Sequence, residues 1–146
     1  MSKKIGEVYA LRVAKGFAIL QVTHINSQYG EMVRAFDLVL ADSKDFECGA
    51  IETSKVAFTT FFPASAALRK GIVAKLGKCP VRADLVDFPT FKNAMYHPVT
   101  GQPAIWWLWD GVDYRKYAAS DGDLSAYPDE GVMNDTALIE NLDKRL

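Results

Sequence analysis

The sequence predicts an α+β domain: a strongly bent antiparallel β-sheet, a barrel-like meander, with one short central helix and a C-terminal helix. Three observations carry this reading. The first forty residues hold three strand-like runs joined by short turns. Pro63 opens a short run of helix formers that stops at Gly71. The closing residues, from Asn134 on, carry a helical apolar stripe.

In the first strand, residues 7–13, the larger apolar side chains Tyr9, Leu11 and Val13 repeat with period two and fall on one face. Ala14-Lys15-Gly16 is a short hairpin connection, with glycine where a positive φ is expected. The return strand, residues 17–23, is rich in β-formers, and the turn Asn26–Gly30 leads into a third strand over 32–38. Residues 42–47 are charged and read as a loop, and residues 55–61 as another strand. The helix over 64–70 is too short to be stable alone, so packing must hold it. Residues 72–76 fit either an extension of that helix or a new strand, and periodicity leaves both open.

From Asp84 the pattern turns extended again, with Pro89 biasing Phe88 away from helix. His97–Gly101 is a loop or turn. The run Ile105–Trp109 holds all three tryptophans, and Asp110-Gly111 is a hairpin signal leading into 113–117. Trp107 and Trp109 must point one way, Trp106 and Leu108 the other, so either both faces are covered or one meets a partner. Residues 120–131 are polar and turn-rich. Asn134 or Asp135 caps the last helix, whose stripe is Ala137, Leu138, Leu142 and Leu146.

Length and composition fit one domain over residues 1–146, with 49% hydrophobic and 24% charged residues and no boundary signal. A net charge of -1 argues against broad nonspecific nucleic-acid binding. Cys48 and Cys79 lack CxxC spacing and are expected as buried thiols in a reducing compartment. With no secretion signal and no apolar run of bilayer length, the expectation is a soluble, cytoplasmic protein without a membrane partner.

Signals for chemistry are few. His24 reads as a hydrogen-bonded strand-end residue, and His97 as a loop residue. Two histidines and two cysteines do not match zinc-ligand spacing, a Cys79–His pair has no local signature, and Asp84 with Asp87 reads as solvated charge. No phosphate loop, HExxH or GxSxG is present, so the expectation is a non-enzyme with no metal and no cofactor. Charge is uneven: residues 110–146 hold nine acids and four bases, and Asp121, Asp123, Asp129 and Glu130 cluster before the last helix. Such a loop suits solvation or the steering of a basic partner.

The runs Ile5–Ala10 and Lys15–Val22 are similar to the opening strands of the immunity protein 26 family, a family of bacterial immunity proteins that neutralise toxins. Phe36-Asp37, Phe88-Pro89-Thr90-Phe91, the tryptophan strand ending in Asp110-Gly111, and Tyr127-Pro128 before an amphipathic helix follow the same order over nearly the whole chain. Glu7 replaces the usual aspartate, and Gln21 stands where many members carry arginine, so no residue role is carried over. The resemblance implies a protein that binds a cognate toxin domain, with a basic nuclease among the candidates. The contacts expected from the residues are Trp106, Trp107, Trp109 and Tyr114 as aromatic anchors, with Asp121, Asp123, Asp129 and Glu130 as an acidic rim. The alternative is a small β-barrel-like module that binds single-stranded nucleic acid or a peptide, with Tyr9, Phe17 and Phe36 as stacking platforms.

Overall fold

The computed structural model describes residues 3–146. Among the described residues, eight strands in two antiparallel sheets and three helices make an α+β protein. The chain divides into two compact units, residues 1–86 with 132–146, and residues 87–131. No composition shift marks either junction, which is why the sequence reads as one domain.

The first unit is built on β1 (Glu7–Val13), β2 (Gly16–Asn26), β3 (Gly30–Leu40), β4 (Val56–Phe61) and β5 (Val73–Lys78) in the order β4-β3-β2-β1-β5. The meander β1-β2-β3 is the one the turn chemistry predicts. Gly16 has φ +144, and a Cβ there would lie 2.5 Å from the Leu40 carbonyl oxygen, so the β1–β2 hairpin excludes any other residue. Asn26 closes the next turn by accepting from the backbone N–H groups of Gln28 and Tyr29. Irregularities in register interrupt the β1–β5, β2–β3 and β3–β4 pairings, and such bulges bend and twist a sheet. Residues 73–78 resolve as β5 because they pair antiparallel with the free edge of β1, information that lies outside the local sequence.

Both faces of this sheet are buried. Tyr9, Leu11, Val13, Leu20 and Val33 pack with α2 (Ala64–Arg69) and α3 (Asp135–Arg145) on one side. Asn134 caps α3 by accepting from the Ala137 N–H at 2.8 Å, and Leu138 and Leu142 supply its buried stripe. On the other side Val8, Ile19 and Phe36 pack under Ile51 of α1 (Cys48–Thr53) and under Cys79 and Leu85. Arg82 fastens this second cover: its Nη1 donates to the carbonyl oxygens of Ile51 and Ser54 at 2.7 and 2.6 Å, at the end of α1.

The cysteines correct the sequence reading. Cys48 and Cys79 form a disulfide with Cα atoms 5.6 Å apart, joining the start of α1 to the residue after β5. Their separation of 31 residues gives no local signal, since tertiary folding alone brings them together. No thiol remains for zinc or for a Cys–His nucleophile. No helix among the described residues is long and apolar enough to cross a membrane.

The second unit is a three-stranded sheet, β6 (Phe91–Tyr96), β7 (Pro103–Trp109) and β8 (Tyr114–Lys116), in the order β6-β7-β8. The β7–β8 turn is the Asp110-Gly111 turn, with the Asp110 carboxylate accepting from the N–H groups of Val112 and Asp113. Those two N–H groups, Asp113 first, hold Asp110 below the usual aspartate range.

Candidate functional site

Register sorts the aromatic side chains of the second unit. Phe91 pairs with Trp109 and Trp109 with Tyr114, while Asn93 pairs with Trp107 and Trp107 with Lys116. Cross-strand partners share a face, so Phe91, Asn93, Trp107, Trp109, Tyr114 and Lys116 lie on one side. Trp109 is closed off there at 3% exposure. Phe88 meets it edge to face at 5.5 Å, Phe91 lies at 5.8 Å, and Tyr114 stacks on it at 6.1 Å. Gly111 is required beneath this cluster, because a Cβ would lie 2.9 Å from the Phe88 ring.

Beyond Trp109 the same face opens. Asn93, Ala94, Met95, Trp107 and Tyr114 line an apolar recess of about 440 Å³. Met95 is 53% exposed, Tyr114 49%, and Trp107 partly exposed. The indole Nε1 of Trp107 is buried and has no hydrogen-bond partner. Glu130 borders the recess: it accepts from the Tyr114 hydroxyl and from Asn93 Nδ2, the latter at 3.3 Å.

The other face carries Lys92, Trp106, Leu108 and Arg115, again by register. Leu108 is buried, and Lys92 Nζ donates to the carbonyl oxygen of Tyr127 at 2.8 Å, latching the following loop. The acids of that loop work locally. Asp121 receives Arg115 Nη1 at 2.8 Å and the Ala118 N–H at 2.9 Å, and Arg115 first, then Ala118, holds its carboxyl below the usual range. Asp123 caps the 3-10 turn Leu124–Ala126 by accepting from the Ser125 N–H, which likewise lowers its pKa. Asp129 lies 3.8 Å from Lys92 and is exposed.

The predicted site residues therefore divide. Trp107, Trp109, Tyr114 and Glu130 come together on the recess side, with Trp109 as its foundation. Trp106, Asp121 and Asp129 belong with the other face, and Asp123 is a cap. Asn93 and Met95 were absent from the sequence-based set. Their signal was alternation in residues 91–96, a run that reads only as extended.

No protein-family model, curated protein or solved structure matches this chain.

In the first unit, Tyr9 and Phe36 are core residues and cannot stack on bases, and Arg12 lies over the ring of Phe17 at 5.0 Å. His24 hydrogen-bonds Thr23 Oγ1 at 3.0 Å and the Val86 carbonyl at 2.7 Å, the role its position predicts. Asp84 is held by Arg82 at 2.6 Å rather than paired with another carboxylate. His97 Nδ1 accepts from the N–H of Val99 at 3.2 Å within its own turn. Among the described residues no group of three or more His, Cys, Asp or Glu could hold a metal ion. Among the buried polar residues, Gln21 and Arg34 are cross-strand partners in the middle of β2 and β3, a pairing absent from the sequence reading. A glutamine and an arginine at the centres of consecutive apolar strands were the available signal.

Proposed function

We propose that this chain is a non-enzymatic binding protein that neutralises a cognate bacterial toxin domain, the role implied by its resemblance to the immunity protein 26 family. The observation that carries the reading is the open recess on the β6-β7-β8 sheet. It has a rigid aromatic base in Trp109, large side chains at its mouth in Met95 and Tyr114, and a polar border in Asn93 and Glu130. Aromatic anchors beside a polar rim are the usual anatomy of a protein–protein hot spot. Trp107 adds a partly exposed aromatic ring to the lining of the recess.

The expected cytoplasmic setting rested on the lack of a secretion signal, and the reading of Cys48 and Cys79 as free thiols agreed with it. The Cys48–Cys79 disulfide favours an oxidising compartment instead.

The test is co-purification with the toxin domain encoded beside this chain's gene, followed by calorimetry. A one-to-one complex of submicromolar affinity that weakens in Trp107→Ala supports the reading. Separation of the two proteins overturns it. A second reading, binding of an extended peptide, draws on β8, an edge strand whose three residues are all exposed. It predicts peptide-dependent protection of β8 amides from hydrogen exchange. Single-stranded nucleic acid would instead show salt-dependent fluorescence anisotropy.

A further inference from the structure

The recess on the three-stranded sheet has a chemical character that selects its occupant. Register sets Trp107 opposite Lys116 and Trp109 opposite Tyr114, so Trp107 and Tyr114 are diagonal neighbours on one face. Diagonal neighbours lie roughly 7–8 Å apart, close enough for one guest to touch both rings. Both line the recess of about 440 Å³, and Met95 lines it beside them.

The polar groups at its border are mostly acceptors. The Tyr114 hydroxyl donates to Glu130 Oε2, and Asn93 Nδ2 donates to Glu130 Oε1 at 3.3 Å. A carboxylate only accepts, so this bond sets the Asn93 amide with its nitrogen towards Glu130. The hydroxyl proton and one amide proton are thereby committed, whereas each carboxylate oxygen accepts more than one hydrogen bond. The Trp107 indole N–H is buried, out of reach of a guest. What remains is ring faces, which carry the negative part of the aromatic quadrupole, and carboxylate oxygens.

Two charged side chains stand on this side, Glu130 and the exposed Lys116. Their charges cancel, so placement decides the sign. Glu130 is bonded to two residues of the lining, while Lys116 is not part of the lining. A cation meets ring faces and a carboxylate there. An anion would meet the same groups and be repelled by both.

We propose that the recess seats an arginine side chain of the partner protein. The guanidinium stacks on Trp107 and Tyr114 and donates to Glu130, and its methylene stem lies along Met95. Arginine fits better than lysine because its cation is planar, more weakly hydrated and rich in donors. The inference rests on the reading of this recess as a partner-binding surface, and it names the anchor that the partner brings.

The experiment is an NMR titration of the intact, oxidised chain, labelled with carbon-13 at the methionine methyl groups. Met95, assigned with Met95→Leu, reports from the lining itself. The probe is N-acetyl-argininamide, compared at one ionic strength with N-acetyl-lysinamide and the neutral isostere N-acetyl-citrullinamide. A saturable shift with argininamide is expected, about threefold or more weaker with lysinamide and absent with citrullinamide. Glu130→Gln should raise half-saturation about fivefold, and Lys116→Gln, which removes the like charge, should lower it about twofold. Trp107→Ala should abolish the response, and the two surface variants carry the test if that chain does not fold. An equal response to citrullinamide or lysinamide, an unchanged half-saturation in Glu130→Gln, or no response to argininamide overturns the proposal. No toxin is present in this titration, so its failure and the failure of the toxin complex are separate results.

Discussion

Trp107 and Trp109 share one face of β7, yet Trp109 is sealed among Phe88, Phe91 and Tyr114 while Trp107 lines an open recess. Period two places them together, and their neighbours separate their roles. Trp109 lies opposite Phe91 and Tyr114, so its rings are surrounded by rings. Trp107 lies opposite Asn93 and Lys116, whose side chains leave the indole partly uncovered. One tryptophan is available to hold the sheet and the other to meet a partner.

Trp109→Ala should destabilise the three-stranded sheet by about 3–5 kcal/mol, the range for deleting a buried aromatic. Hydrogen exchange on the amides of β6 and β7 checks this, with protection in β1–β3 as the internal reference. Equal protection in the variant would show that the cluster contributes little.

The disulfide predicts a sharp dependence on reductant. Closing a loop of 31 residues should add about 3–4 kcal/mol by restricting the unfolded chain. Chemical denaturation with and without reductant measures the difference, and Cys48→Ser with Cys79→Ser should reproduce the reduced value. Alkylation of both cysteines in unfolded, unreduced protein would refute the bond.

The local signals in this chain were legible and the tertiary ones were not. Strands β1–β3, the Gly16 hairpin, the Pro63-led helix and the Asn134 cap each announce themselves within a few residues. By contrast α1 spans six residues, has no side-chain cap from Glu47, and is held by Cys79 and Arg82, which lie about thirty residues away. Alternation assigned Tyr9, Leu11 and Val13 to one face but could not reveal that Val8, Ile19 and Phe36 are covered as well. In the site, the split of Trp106 from Trp107 and Trp109 followed from strand period. For the acidic cluster, composition does not record that Asp121 and Asp123 hydrogen-bond Arg115, Ala118 and Ser125.

Asp121 should make the loop over 118–131 sensitive to acid. Its carboxyl is held below the usual value near 3.8 by Arg115 and the Ala118 N–H. A lowered folded-state pKa means that its contribution is complete above the unfolded value and disappears as pH falls through the folded one. Asp121→Asn should therefore be less stable than the unmodified chain at neutral pH, and the two should converge as pH drops below about 3.8. Added salt should also narrow the gap, because Arg115 is exposed. Urea unfolding followed from pH 7 to pH 3 tests the sign, and a gap that widens on acidification would contradict it.

Trp107 separates binding from stability. It lines the recess but is not enclosed, so Trp107→Ala should change the unfolding midpoint far less than Trp109→Ala does. Its effect on the toxin complex should be large, about 2 kcal/mol or roughly thirtyfold in Kd, if the recess seats a hot spot. Asp129 gives the contrasting case. It is exposed and only loosely paired with Lys92, so Asp129→Asn should act on the association rate and its salt dependence, with little change in dissociation. Stopped-flow kinetics of the two variants, read beside calorimetry, resolves the three effects. Loss of affinity in Asp129→Asn with none in Trp107→Ala would move the interface away from the recess and onto the face of Lys92 and Trp106.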